Sequence, residues 1–566
     1  MDIVDAPLWR GCEALSTQPT SAGLATFCKA YPPHTLFSYL DASSASAEHA
    51  TETSTLARTL RTVLCSQHHV AAASSEAIAP MLRVGMAHAS ATVRALCADV
   101  MYSRIGEEGA RGDAMLRALL DDAALLDAIT SAVCEDDDTT VAEGSAQVLL
   151  RLAAATPSSA SLSGARARVA ARLVARATVE GDASSASARC LDVAARMTCA
   201  SDECFAELAP VGALRALSSA VRRGDDLLSQ LSALEIVESV VALRPCSAMH
   251  VVEDVASDSL LSTLLRICEA REESGGGDDV ASYAFRAAAA VVSTVVRARG
   301  DGAVLAPSAA RLLRAAHAQL AEPASRDAPA TLAAAEALGR LAGASRSALG
   351  AIVRAEEGAL LRCWLGPLGD RVAAQSLPLR MHTCAQALEG GSSAAAASLD
   401  AGDADGDAPA EALFAAVSAG SGSGSASGGA SSKHSTSSKS SAHATVKLLM
   451  GWIEGERGGV AASYRDAACH ALRSAAAFDW GVRAMLSTPG FEEWLLTPTA
   501  SAPLRSDAEW KYGVVQAIAS SCDANPSFAA AVIGDARLAR VRRRVAAGPF
   551  RELDSKGPHA LTAGQR

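Results

Sequence analysis

Val93-Arg94-Ala95-Leu96-Cys97-Ala98-Asp99-Val100-Met101 is the stretch that decides the fold, because it comes back three times. It can be laid on Val141-Ala142-Glu143-Gly144-Ser145-Ala146-Gln147-Val148-Leu149 and on Ala186-Ser187-Ala188-Arg189-Cys190-Leu191-Asp192-Val193-Ala194. The fourth copy is Ser229-Gln230-Leu231-Ser232-Ala233-Leu234-Glu235-Ile236-Val237. Their starts lie 48, 45 and 43 residues apart, close to the roughly 40–47-residue period of HEAT and armadillo arrays. The fifth position is always small (Cys97, Ser145, Cys190, Ala233) and the eighth always branched and apolar (Val100, Val148, Val193, Ile236). Three residues apart on a helix, these two share a face, and a small residue beside a branched one admits a neighbouring helix closely. The seventh position is always polar: Asp99, Gln147, Asp192 and Glu235. It falls on the far side of the helix and would form a polar column along a stacked array.

Short polar turns precede each copy and suit helix capping: Ser90, Asp136-Asp137-Asp138-Thr139, Ser184-Ser185 and Gly224-Asp225-Asp226. Their oxygens can accept the free N–H groups of a first turn. Looser copies cover Tyr283–Val296, Thr331–Leu341, Leu377–Leu388, Tyr464–Ala475 and Tyr512–Ser520, and paired helices are expected over Leu116–Val133 and Leu208–Val221. The reading is all-α: an armadillo/HEAT-like α-solenoid of roughly nine or ten units. With 566 residues, one compact core is excluded; a stack uses such a length because each unit buries its apolar face on the next. Composition agrees, since 49% of residues are hydrophobic but only 4% aromatic, and alanine and leucine, strong helix formers, dominate.

Repeats are expected over 1–389 and 446–550, around a low-complexity flexible insert at 390–445, with a disordered tail at 551–566. The insert's core, 418–441, is nearly all Gly, Ser, Ala and Lys and buries too little apolar surface to offset ordering. Ala412–Val417 within it reads as a short helix, and 272–279 as a flexible loop.

A net charge of −11 argues against general nucleic-acid binding, which needs a basic face. The cluster Arg537, Arg540, Arg542, Arg543 and Arg544 reads as a solvated helix face near a C-terminus. The fourteen cysteines form no C-x-x-C pair and sit among apolar neighbours, as small buried hydrophobes do in a reducing compartment. The first residues, Met1-Asp2-Ile3-Val4-Asp5, lack a secretory pattern, and Ala287–Val296 is too short to span a bilayer. A cytoplasmic or nuclear protein is expected, with no membrane partner.

Chemistry-bearing motifs are absent. His68-His69 project to different sides of a helix and chelate poorly; Cys199 and Cys204 have no second pair; the glycine tract at 420–429 has neither the strand nor the helix of a nucleotide loop. The expectation is no enzyme, no cofactor and no metal.

The C-terminal part carries a family resemblance. Trp480, Met485, Ser487-Thr488-Pro489-Gly490-Phe491, Glu493, Lys511-Tyr512, Asn525-Pro526 and Gly548-Pro549-Phe550 follow an order and spacing that resembles the 26S proteasome non-ATPase regulatory subunit 5 family. Leu36-Phe37-Ser38-Tyr39-Leu40 with the helix to Leu64, and Gly224–Val240, are similar to that family's opening and middle repeat. Physically these residues are structural: Pro489-Gly490 stops a helix, Phe491 anchors the next, and Val514, Val515 and Ile518 make an apolar stripe. The resemblance implies an armadillo/HEAT-like chaperone of regulatory-particle base assembly. Such a chaperone holds the C-terminal domain of an AAA ATPase subunit by surface complementarity, is a monomer when free, and leaves before the proteasome matures. A general scaffold or transport adaptor with another cargo is the alternative. Asp99, Gln147, Asp192 and Glu235 are then either the contact for basic partner residues or a solvated face.

Overall fold

The computed structural model describes residues 6–550 apart from 18, 45–49, 66–74, 107–109, 156–159, 180–183, 224–225, 254–258, 271–276, 300–305, 322–327, 370–375, 398–406, 420–437, 454–461 and 498–504. The His68-His69 pair, most of the 272–279 loop, the core of the insert from 420 to 437 and the tail at 551–566 lie outside the described residues. Among those described, every regular element is helical.

The helices fall into two compact units, 1–260 and 261–566. In the first, α1 (Ala50–Cys65), α2 (Ala91–Ile105), α3 (Thr139–Ala154), α4 (Ser185–Thr198) and α5 (Leu227–Leu243) pack side by side in chain order. A second layer backs them, formed by helices 75–86, 123–135, 160–177 and 213–222. In the second unit a layer of the same kind is made by α6 (Gly277–Arg299), α7 (Pro329–Ala342), α8 (Leu377–Ala397), α9 (Ala462–Ala475), α10 (Arg505–Ala524) and α11 (Asp535–Ala547). Each of these packs on the next, over helices such as 306–320, 438–453 and 479–487. This is α-solenoid architecture. The four clear copies fall on α2–α5 and the five loose ones on α6–α10; α1 belongs to the layer of the first unit and α11 to that of the second.

The pattern positions do what their chemistry requires. Cys97, Ser145, Cys190 and Ala233 are buried, as are Val100, Val148, Val193 and Ile236. A Cβ at Gly85 would stand 2.3 Å from the Cys97 sulfur, so the helix 75–86 leans on that small position as closely as glycine permits. Three of the four capping turns act as expected. Asp138 accepts from Thr140 and Val141 N–H, Ser184 from Ser187, and Asp226 from Leu228 and Ser229. Ser90 occupies the N-cap of α2 without a side-chain cap bond; its own N–H donates instead to His88 Nδ1.

Several expected boundaries move. Leu116–Val133 is broken at Asp122, whose carboxylate caps the second helix by accepting from Leu125 N–H. Leu208–Val221 is interrupted by a 3-10 turn at Ala209–Val211 and by Gly212 at φ 88°. α10 begins at Arg505, upstream of the copy read over Tyr512–Ser520. The short helix read at Ala412–Val417 is Ala408–Ala419, with Leu413, Phe414 and Val417 in the core. The helix Ser438–Ile453 also starts inside the 390–445 stretch.

Most of the C-terminal signature residues are structural, although Glu493 and Phe550 are exposed. Gly490 turns the chain at φ 83°, Phe491 is fully buried, and Val514, Val515 and Ile518 are buried on α10. Tyr512 donates to the Val545 carbonyl at 2.8 Å, and Asn525 caps Pro526–Phe528. Eleven cysteines are buried and three half-buried, all as free thiols. Asp279–Ala298 of α6 is apolar and long enough to cross a membrane, but 72% of that window is buried inside the structure, as in a core helix.

Candidate functional site

Asp99, Gln147, Asp192 and Glu235 occupy equivalent positions on four successive helices, α2 to α5. Their surroundings differ. Asp99 pairs with Arg61 on α1. Asp192 pairs with Arg196 one turn on at 3.4 Å and accepts the Ser239 hydroxyl from α5 at 3.4 Å. Gln147 and Glu235 are exposed and meet no polar partner among the described residues. The column is therefore half ladder and half open: two of its members tie one repeat to another or to itself, and two face solvent.

That ladder extends beyond the column and was not apparent from the sequence. Arg94 makes a two-pronged pair with Asp136 at 2.7 and 2.8 Å, 42 residues away. Arg83 reaches Asp122 at 3.3 Å. In the second unit, Arg311 grips Glu269 at 2.8 and 2.7 Å, and Arg465 reaches Asp507 at 3.2 Å. Rungs with an uncharged donor join them: Ser247 donates to the Cys199 carbonyl at 3.1 Å, and Asn525 to the Asp479 carboxylate at 3.0 Å. Each spans about one repeat. The available signal was a basic or polar residue one period before or after an acidic one, which is invisible until the register is known.

Burial pulls the Asp136 carboxyl up, but the Arg94 guanidinium and the Asp138 N–H outweigh it and hold its pKa below the usual value. Asp136 is thus an inter-repeat ion-pair partner, not the helix cap expected of the aspartate run; Asp138 alone caps. The basic cluster is also more structured than a solvated face. Arg537 and Arg540 both pair with Glu492, Arg542 pairs with Asp523, and Arg544 is buried and donates to the Pro549 carbonyl at 3.2 Å.

The second unit also holds a cleft of about 460 Å3 between the helix 306–320 and the turn at 355–358. Pro307, Ala310, Leu313 and Leu360 give it apolar walls, and His317 meets Glu356 at its side. Glu356 and Glu357 have φ of 49° and 55°, with Gly358 at 80°. Two consecutive non-glycine residues there are strained; Arg362 donates to the Glu357 carbonyl at 3.3 Å and helps fix the turn.

Among the described residues, no group of three His, Cys, Asp or Glu side chains is placed to hold a metal ion. Burial pushes the Cys97, Cys384 and Cys469 thiols up to about 12, which makes them poor thiolates at neutral pH. Chemically, the polar surface of α2–α5 can present charge and hydrogen bonds to another macromolecule.

No family profile matches the chain, and no curated protein does. Solved structures similar to it include an engineered protein at 14% identity, over 83% of this chain and 99% of that one, with a TM-score of 0.39. Uso1-1 is similar at 13% identity, over 94% and 88%, with a TM-score of 0.45. Kap121p, in a complex with Nup53p, is similar at 11% identity and a TM-score of 0.44, over 94% of this chain, which spans 58% of the Kap121p chain. The fold assignment itself rests on the helix packing described above.

Proposed function

We propose that this chain is a non-catalytic helical-repeat scaffold that holds a protein partner on the polar surface of its stacked layer. The observation that carries the reading is register: equivalent polar positions recur on α2, α3, α4 and α5, and two of them, Gln147 and Glu235, are exposed and without a polar partner among the described residues. A stack of this kind offers a broad, extended surface for recognition.

The finer reading follows the resemblance of the C-terminal signature. On it, the chain is an assembly chaperone of the proteasome regulatory-particle base, and its partner is the C-terminal domain of an AAA ATPase subunit. Release would follow from steric exclusion when a later partner claims the same ATPase region. The other reading is a scaffold or transport adaptor for a different protein cargo, and it needs only the fold.

Affinity purification of the full chain separates the two. The chaperone reading expects free ATPase subassemblies to come down with it and assembled particles to lack it. It also expects direct binding to one purified ATPase C-terminal domain. Failure to bind any of those domains leaves the adaptor reading and ends the chaperone one.

A further inference from the structure

α8 and α9 pack against each other although their facing residues are 88 positions apart in the chain. At that joint, His382 Nδ1 and His470 Nδ1 lie 3.0 Å apart, with the rings tilted by 48°. Each ring is backed by a carboxylate. His470 Nε2 is 3.0 Å from Glu389 Oε1, which also accepts from Arg473 at 2.9 Å and Ser474 at 3.2 Å. His382 Nε2 is 3.6 Å from Asp466 Oδ2.

A hydrogen bond between two imidazole nitrogens needs one that carries a proton and one that is bare. At least one of the two rings must therefore be neutral for the contact to exist. With both rings protonated, two N–H groups and two positive charges would face each other across 3.0 Å. We propose that the His382–His470 pair is a pH-sensitive clasp that holds α8 to α9 at neutral pH and opens when both rings are protonated.

The environment supports this direction. Burial first, and then the neighbouring His470, press the pKa of His382 below its ordinary value, against the pull of Asp466. The His470 hydrogen bond, helped by Arg473 and opposed by burial, holds Glu389 at about 2. Both groups have native pKa values below their unfolded ones, so both contributions are complete above the unfolded pKa and fade as pH falls through the folded one. For His382 the window opens below about 6.5, whereas Glu389 stays ionised throughout it.

The charged groups that meet the rings are Glu389 and Asp466, and Arg473 meets Glu389. Of those on the surrounding helices, Glu336 pairs with Arg286, Arg346 with Asp407, Asp507 with Arg465 and Asp479 with Asn525, while Arg340, Arg362, Arg380 and Lys511 donate to the Arg286, Glu357, Trp364 and Thr497 carbonyls. Glu411, Lys447 and Cys469 also stand on packed helices, and none of them bonds either ring.

The test is hydrogen exchange of the full chain from pH 7.5 to 4.5, corrected for intrinsic rates, with α6 and α7 as the internal comparison. The expected result is a loss of protection in α8 and α9 of about tenfold, as local opening of the joint would give, with little change in the comparison helices. In His382→Gln/His470→Gln this acid-dependent step should vanish. An equal step in that variant, or none in the wild type, overturns the clasp. Should the double variant fail to fold, Asp466→Asn decides. It keeps both rings and removes the group that favours protonated His382, so the midpoint must move to lower pH; an unmoved midpoint also overturns the clasp.

Discussion

Single side chains hold this stack in register, and Arg94 shows how. Its guanidinium is four-fifths buried and grips Asp136 with two hydrogen bonds, while Nη1 donates to the His88 and Ala89 carbonyls at 2.8 Å. Removing it leaves a carboxylate that is only 8% exposed without its counter-charge. Arg94→Ala should therefore lower the local opening free energy of α2 and α3 by about 2 kcal/mol, the scale of a charged hydrogen bond. Native-state hydrogen exchange reads this without requiring that the whole chain unfold in one step. A double-mutant cycle with Asp136→Ala should show a coupling of at least about 0.5 kcal/mol; strict additivity would mean that the pair is incidental. Because Arg94 keeps the native Asp136 pKa depressed, the pair's contribution is whole above the ordinary aspartate range and declines as pH falls through the folded value. None of this was readable at first sight of the sequence. Arg94 and Asp136 look like two ordinary surface charges until the repeat places them face to face.

Between helices, spacing is set by what is missing as much as by what is present. A Cβ at Gly390 on α8 would stand 1.9 Å from the Gly343 carbonyl oxygen just past the end of α7, and a Cβ at Gly339 would meet Thr383 at 2.6 Å. Gly390→Ala must push these helices apart and should cost about 1–3 kcal/mol, as overpacking does. Gly164 is the control. It lies inside the helix Ala160–Ala177, and a Cβ there meets nothing within 4 Å. Gly164→Ala should stabilise that helix by about 0.5–1 kcal/mol through backbone entropy. Thermal melts of the two variants should move in opposite directions, and a common sign would refute the close-crossing account. The helices themselves were legible, because a small residue and a branched one three positions apart, buried on every copy, can only be a packed helix face. The boundaries were less so. Asp122 and Gly212 break segments that are continuous in hydropathy, and Arg505-Ser506-Asp507 extends α10 upstream of the apolar stripe that signalled it. Arg544 is buried within an arginine run that charge alone assigns to solvent.

At the scale of the whole molecule, the repeat period was the readable quantity and the partner was not. A period follows from core packing, which imprints residue size at fixed spacing. A binding face imprints only polarity, which a solvated surface shows equally. The structure sharpens the choice of residues that can tell these apart. Asp192 is tied to Arg196 and Ser239, so reversing its charge would perturb the chain's own contacts along with any partner's. Gln147 and Glu235 have no such polar contact among the described residues. Gln147→Lys/Glu235→Lys should therefore leave thermal stability unchanged and act only on binding. If the column meets basic residues of an ATPase C-terminal domain, the variant should associate about tenfold more slowly at low salt, and the difference should shrink as salt screens it. Association rates measured by biolayer interferometry across a salt series check this. An unchanged rate at every salt concentration assigns the column to solvent and moves the search for the partner surface to other faces of the stack.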